Sequence, residues 1–214
     1  MTAVFFRQIA FLLRQKQKKK RRENIMNQTK TRTLTECALL LALGIGLSFI
    51  SIIQMPAGGT VTLASMLPLL LVGVKYAPKW AFGTSFAYAL FQLIQAIMKG
   101  HVFPYCETWY IVILCALLDY LLPYIILGVT AFSQKKTSHI YLYTAFAISF
   151  RFLCHFLSGI LIWGQWAVNM PPALYSLIYN GTFLLPELGI TLAVMIPLLE
   201  VKAIRRLLRL PIDK

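Results

Sequence analysis

Acidic residues are scarce in this chain, and their scarcity limits the classes of protein to which it can belong. Its 214 residues include only 7 Asp and Glu, and all charged residues together make up 13%. A soluble domain of this length needs a more polar surface. The sequence contains no HExxH, GxSxG or Walker A motif. These absences argue against a soluble enzyme, a metal-dependent hydrolase and ATP hydrolysis by the chain itself.

Cysteine is also scarce. The four cysteines, Cys37, Cys106, Cys115 and Cys154, lie far apart in the sequence, and no pair has CxxC spacing. All but Cys106 lie in apolar sequence. We therefore expect free, buried thiols and neither a disulfide framework nor a metal site.

Apolar residues are abundant, at 58% of the chain. Six apolar stretches are predicted to be membrane-spanning helices, although the second is short and contains Pro68. They lie near residues 34–53, 60–74, 80–98, 109–132, 140–165 and 174–200. The predicted fold class is all-α: a polytopic membrane protein whose six transmembrane helices form one substrate-binding domain over residues 33–201.

The net charge of +14 is concentrated near the N-terminus, where ten of the 21 Lys and Arg residues precede residue 33. Residues 1–32 are predicted to be a basic extension that is disordered or lies on the membrane surface. Residues 202–214 are predicted to be a basic tail. When loops are assigned to alternate sides, the basic loops fall on one side, and the positive-inside rule places both termini in the cytoplasm. Topology thus accounts for the basic residues, and no nucleic acid partner is implied.

Polar and ionisable residues interrupt the fifth apolar stretch. Arg151, His155, Gly159 and Trp163 recur every four residues, so on a helix they form one column in which the glycine leaves a gap between two rings. Ionisable groups in a membrane span tend to face a cavity and to mark function. This column is predicted to be a wall of a small-molecule site. The alternative is a packed histidine and an interfacial tryptophan.

Neighbouring spans bring further polar groups to the same predicted depth. Asp119 lies midway along the fourth span, and Tyr175 and Asn180 lie in the outer half of the sixth. A buried carboxylate with an aromatic wall suits a flat ligand that carries a positive charge. The competing interpretation is that Asp119 pairs with Arg151 and only holds helices together.

Small residues mark two further segments. Ala38, Ala42 and Gly46 are spaced by four along the first span, which indicates either close packing inside the protein or docking of a partner subunit. Gly58 and Gly59 follow this span in an uncharged segment that is predicted to be a turn or a re-entrant loop.

Several of these stretches resemble one family, the thiamine-binding S components of energy-coupling factor (ECF) transporters, also called the ThiT or YuaJ family. The resemblance covers about residues 33–200 and rests on LTECALLLALGIGLSFI, MPAGGTVTLASMLPLLLVGVKY, LLDYLLPYIILG, RFLCHFLSGILIWG and YSLIYNGTFLLPEL. It implies a non-enzymatic protein of the cell membrane that captures thiamine from outside. The partners it implies are a transmembrane coupling subunit and two ATPase subunits, which hydrolyse the ATP, and it implies no cofactor.

The resemblance also implies roles for particular residues. The implied substrate-binding set is Asp119, Tyr120, Arg151, His155, Gly159, Trp163, Tyr175 and Asn180. Asp119, which is Glu in some members, matches the acid that faces the cationic part of the ligand. His155 and Trp163 match ring-stacking positions, and Tyr175 and Asn180 match hydrogen-bonding positions around the pyrimidine. The small-residue row in the first span matches the motif that docks the coupling subunit.

Three other hypotheses remain open from the sequence. One is a binding subunit for a different vitamin or a thiamine precursor. Another is a membrane-embedded enzyme that uses His155 and Asp119. The last is a small adaptor whose polar residues only pack helices and which binds no small molecule.

Overall fold

The structure is a computed structural model that describes residues 28–55, 59–100, 102, 106 and 108–212. The helices are α1 Gln28–Ser48, α2 Leu67–Lys75, α3 Pro78–Met98, α4 Trp109–Cys115, α5 Leu122–Ile125, α6 Thr137–Leu161, α7 Pro172–Glu200 and α8 Lys202–Leu208. Strands β1 Ser51–Gln54 and β2 Thr60–Thr62 pair as an antiparallel hairpin. The described residues divide into two units between Cys37 and Ala38, and the main hydrophobic core and the cavity around Asp119 belong to the second.

Five helical segments among the described residues are long and apolar enough to cross a membrane: Gln28–Ser48, Pro78–Met98, Trp109–Phe132, Thr137–Leu161 and Pro172–Glu200. The predicted all-α, multi-span class is therefore confirmed. The predicted N-terminal extension lies outside the described residues as far as residue 27, while residues 28–32 are helical.

The predicted second span is wrong as a single helix. Its range begins with strand β2, and the helix that follows, α2, has only 9 residues. At 1.5 Å per residue it is about 14 Å long, about half of a bilayer's hydrocarbon thickness. All of its residues are buried. The run is apolar because it packs inside the protein, which a sequence alone does not distinguish from contact with lipid.

Helix α2 lies in the main hydrophobic core, where its leucines pack with Tyr88, Leu127, Ile148 and Met195. Gly73 permits a close contact within this core, because a Cβ at that position would collide with Thr130 and the backbone of Ala131. The Thr130 hydroxyl also donates a 2.8 Å hydrogen bond to the Leu70 carbonyl.

The segment Trp109–Phe132 is helical throughout but irregular. A π-helical turn, Ala116–Leu121, follows α4, and a 3-10 segment, Ile126–Phe132, follows α5. Pro123, at the start of α5, accounts for the disruption, because it lacks an N–H and its ring would collide with the carbonyl four residues earlier, that of Asp119. The irregular turn is therefore centred on the acid that the sequence singled out.

The hairpin is attached to α7 through a buried carboxylate. Glu187 is 1% exposed and accepts hydrogen bonds from the Thr62 backbone N–H at 2.7 Å and from its hydroxyl at 2.6 Å. The predicted turn at Gly58 and Gly59 corresponds to the end of this hairpin, although residues 56–58 lie outside the described part of the chain.

Candidate ligand-binding site

A cavity of about 100 Å³ lies among the hairpin, the π-helical turn, α6 and α7. It is lined by Gly59, Thr60, Asp119, Tyr120, Tyr124, Arg151, His155, Gly159, Trp163, Tyr175, Tyr179, Asn180 and Phe183. All eight substrate-binding residues implied by the resemblance are in this lining. The structure thus brings them together, while their contact with a ligand stays a prediction.

The Asp119 carboxylate is at the centre of a hydrogen-bond network. Its Oδ1 is 3.1 Å from His155 Nδ1. Its Oδ2 accepts from the Ser158 hydroxyl at 2.6 Å, from Trp163 Nε1 at 3.1 Å and from the Cys115 thiol at 3.5 Å. The π-helical turn places the carboxylate where four side chains from α4, α6 and the segment after α6 reach it. An anion held by so many donors is pre-organised inside an apolar span.

The neighbours of His155 determine which of its nitrogens carries the proton. Nδ1 faces the Asp119 carboxylate, which can only accept, and Nε2 faces the Arg151 Nε–H at 3.4 Å, which can only donate. The imidazole that satisfies both partners is neutral, with its hydrogen on Nδ1. It therefore links the arginine to the carboxylate without adding a second positive charge.

Arg151 is not paired with Asp119. Its guanidinium donates to Tyr124 Oη at 3.1 Å and to Met66 Sδ at 2.9 Å, and it lies 4.6 Å from the centroid of the Tyr124 ring. The interpretation of Asp119 and Arg151 as a helix-holding ion pair is wrong, since His155 stands between them. The cavity consequently has an anionic group and a cationic group at separate positions in its lining.

Trp163 reaches the cavity by a route that the helical column did not predict. Helix α6 ends at Leu161, and Trp163 opens a 3-10 turn that runs to Trp166. The predicted continuation of the helix to residue 165 is therefore wrong. Trp163 nevertheless lines the cavity because its indole N–H is bonded to Asp119.

Gly159 allows α6 and α7 to approach each other. A Cβ at this position would collide with the Ser176 hydroxyl and lie 2.7 Å from its Cβ. Asn180 Nδ2 donates to the His155 carbonyl at 3.1 Å and to Ser176. The glycine therefore has a packing role beside its predicted role as a gap for the ligand.

Aromatic rings form much of the remaining wall. Tyr175 and Tyr179 are stacked, with centroids 5.9 Å apart, and Tyr179 meets Phe183 edge to face at 6.0 Å. Sequence analysis did not single out Phe183, Tyr124 or Thr60. Phe183 lies three residues after Asn180, which was predicted, so the helical period was the available signal.

A second, polar chamber of about 240 Å³ adjoins the cavity. The two share Thr60, Tyr120, Tyr124 and Arg151. Glu187 and Lys99 also line the chamber, as does Gln95, whose Nε2 is buried without a hydrogen-bond partner among the described residues. The adjoining chamber could therefore hold a polar part of a bound molecule that extends beyond the aromatic walls.

The arrangement does not favour the enzyme hypothesis. Within the described part of the chain, the one hydroxyl bonded to the Asp119–His155 pair is that of Ser158, and it donates to the carboxylate rather than to the imidazole. A serine nucleophile needs its proton taken by the histidine. Here the second imidazole nitrogen faces Arg151.

Apart from Cys115, which reaches Asp119, the cysteines and the small-residue row take no part in these contacts. All four cysteines are buried and none forms a disulfide, and burial raises the pKa of the Cys106 thiol. Ala38, Ala42 and Gly46 are exposed on α1, and no atom of the described residues lies within 4 Å of a Cβ built at Gly46.

Comparison with known proteins identifies the family. No curated protein matches the chain in sequence. The solved structure of ThiT from Listeria monocytogenes is similar in fold, with a TM-score of 0.65 at 19% identity, covering 86% of this chain and 100% of that one. The family model of the thiamine transporter protein (Thia_YuaJ) matches residues 34–207. This chain therefore belongs to the Thia_YuaJ family of thiamine transporter proteins, which are multi-pass membrane transport proteins and not enzymes.

Proposed function

We propose that this chain is the substrate-binding subunit of an ECF importer and that it captures thiamine from outside the cell in the cavity around Asp119. The observation that carries the proposal is one carboxyl group, that of Asp119, held by four donors inside an aromatic-walled cavity, in a chain of the thiamine transporter family. The site residues keep the roles that the resemblance implies.

Thiamine joins a permanently cationic thiazolium to a neutral aminopyrimidine, and the cavity offers partners for both. Asp119 attracts the cation, and the faces of Trp163 and His155 add cation–π and stacking contacts. Asn180 uses its amide nitrogen on internal acceptors, which leaves its oxygen to accept from the pyrimidine amino group. Tyr175 lies beside it on the same wall.

Arg151 sets the orientation of the ligand. A cationic ring is repelled by the guanidinium and attracted by the carboxylate, so the thiazolium binds on the Asp119 side of His155. The adjoining polar chamber, which shares Tyr120 next to Asp119 with the cavity, then has room for the ligand's hydroxyethyl arm. A ligand with its charge at the opposite end is disfavoured by the same pair of groups.

Import requires partners, for which this chain has an exposed surface. Ala38, Ala42 and Gly46 form a row of small side chains on α1 that admits close approach of another helix. We assign this row to the transmembrane coupling subunit, with ATP hydrolysis on two further subunits. The cell membrane is the proposed location, with both termini in the cytoplasm.

The test is a thiamine titration of the purified full chain in detergent, followed by tryptophan fluorescence. Asp119→Asn and Trp163→Ala should each weaken binding by about 2–4 kcal/mol, because each removes a central buried contact. Trp80→Ala, outside both cavities, is the control that should bind like the parent. If both site variants bind as tightly as the parent, the proposed site is wrong.

The same titration with other ligands decides between vitamins. A free aminopyrimidine precursor lacks the thiazolium and should bind much more weakly than thiamine. Tighter binding of the precursor, or of an unrelated vitamin, would favour that molecule as the substrate.

A further inference from the structure

The two oxygens of the Asp119 carboxylate have unequal environments. Among the described residues, three donors converge on Oδ2, from Ser158, Trp163 and Cys115, while one side chain, His155, reaches Oδ1. Oδ2 has little remaining capacity to accept, whereas Oδ1 keeps a lone pair. The network therefore fixes which oxygen remains available to a ligand.

Ser158 makes the shortest of these contacts, at 2.6 Å. This length is typical of a hydroxyl that donates to an ionised carboxylate. The Ser158 side chain is 0% exposed and is not part of the lining of either cavity. It therefore touches the carboxylate without being placed to touch the ligand.

The other two donors to Oδ2 are less suited to hold the acid. The thiol of Cys115 is a weak donor at 3.5 Å. Trp163 lies in a short 3-10 turn beyond the end of α6, and it is itself predicted to stack on the ligand. Ser158 instead lies within the regular part of α6, next to Gly159. Its position is fixed by the same close packing that brings α6 against α7.

We infer that Ser158 is a positioning residue for ligand binding: it fixes Oδ2 of Asp119, so that Oδ1 faces the cation and the Trp163 indole is held beside the carboxylate. The inference rests on the proposed function. The Ser158 hydrogen bond also explains how aspartate, which is shorter than glutamate, can contact the ligand at this position, because the bond holds the carboxylate against α6.

A double-mutant cycle tests the inference. Thiamine affinity is measured for the parent, Ser158→Ala, Asp119→Asn and the double variant of the full chain in detergent. Removing a hydrogen bond to a charged group should lower affinity about tenfold or more in the parent background. In the Asp119→Asn background the same change should alter affinity less than about twofold, because Ser158 acts through the charge.

A neutral ligand provides a second readout, because a merely structural role of Ser158 would lower its affinity as much as that of thiamine. The probe is a thiamine analogue in which a thiophene replaces the thiazolium. Ser158→Ala should leave its affinity within about twofold of the parent value, since no cation needs the oriented oxygen. Equal losses for thiamine and the neutral analogue would overturn the inference.

Two controls keep the outcomes distinct. Ser85→Ala removes another fully buried serine hydroxyl, one without a partner among the described residues, and should change neither affinity. Ser158→Cys keeps the size of the side chain but donates weakly, so it should also lose thiamine affinity. Parent-like thiamine binding by Ser158→Cys and Ser158→Ala would refute the role of Ser158, whereas failure of the parent to bind thiamine would refute the proposed function instead.

Discussion

At the scale of single residues, Gly159 meets two requirements at one position. Its missing Cβ leaves room for Ser176 on α7 and also leaves open part of the cavity wall. Gly159→Ala should lower the unfolding free energy by about 1–3 kcal/mol, as overpacking does, and should weaken thiamine binding. Thermal unfolding and ligand titration in detergent measure the two effects.

The matched control for this change is Gly189→Ala, on α7, because a Cβ built there meets nothing within 4 Å. It should leave stability and binding near the parent values. If Gly159→Ala were as harmless as Gly189→Ala, the close approach of α6 and α7 at this position would be wrong.

Sequence reasoning at this scale located Asp119, His155 and Trp163 because ionisable and aromatic side chains are conspicuous inside apolar runs. It did not predict that His155 separates Asp119 from Arg151, since that depends on the rotation of α6 against the π-helical turn. Nor did it single out Ser158, because a serine within an apolar helix often only bonds its own backbone.

At the scale of elements, the π-helical turn Ala116–Leu121 is the feature that aims Asp119. Pro123 prevents a regular α-helical bond to the Asp119 carbonyl. Pro123→Ala removes that constraint, so the turn can relax toward α-helix and swing the carboxylate away from Ser158. We expect thiamine affinity to fall about tenfold or more, as for loss of a charged hydrogen bond, without loss of thermal stability.

A proline in a regular helix serves as the comparison. Pro186 lies inside α7 and outside the cavity lining. Pro186→Ala should leave affinity nearly unchanged. Parent-like affinity in Pro123→Ala would mean that the proline does not determine where the acid points.

The hairpin depends on Glu187 for its attachment to α7. Glu187→Ala removes the acceptor of the Thr62 N–H and hydroxyl bonds. Leaving the Thr62 N–H unpaired should cost about 1–3 kcal/mol, whereas the hydroxyl can still donate to Ser65 Oγ, 2.7 Å away. Hydrogen exchange in β1 and β2 should accelerate, while exchange in α2 stays slow. Unchanged exchange in the hairpin would show that other contacts hold it.

Apolar length predicted most elements of the fold, including α3, α6 and α7 to within a few residues. The prediction from apolar length was wrong at residues 60–74, where a strand and a short buried helix share one apolar run. Burial by protein and burial by lipid select the same residue types, so composition alone could not separate the two.

At the scale of the whole molecule, the unequal distribution of basic residues predicts the orientation in the membrane. Lys136 lies in a loop that is predicted to be cytoplasmic, and Lys99 lies in a loop that is predicted to be outside the cell. Both lysines are exposed, so each can be replaced by a cysteine that a reagent can reach. A membrane-impermeant thiol reagent should label only Lys99→Cys in intact cells. The parent, whose four cysteines are buried, is the unlabelled control. Labelling of Lys136→Cys in intact cells would show that the predicted topology is wrong.

The small-residue row on α1 is exposed, whereas the proposed binding residues line an internal cavity. The family could be identified from a few short stretches because those stretches contain all of the proposed site residues and the small-residue row. The helix packing that joins them is set by contacts such as Gly73 with Thr130, which no short stretch reveals.

The most direct test of the central claim is mass spectrometry of the small molecule that stays bound to the protein purified from cells grown with thiamine. We predict thiamine at close to one molecule per chain for the parent, and little or none for Asp119→Asn purified in the same way. A different retained molecule, or equal thiamine on both proteins, would contradict the account.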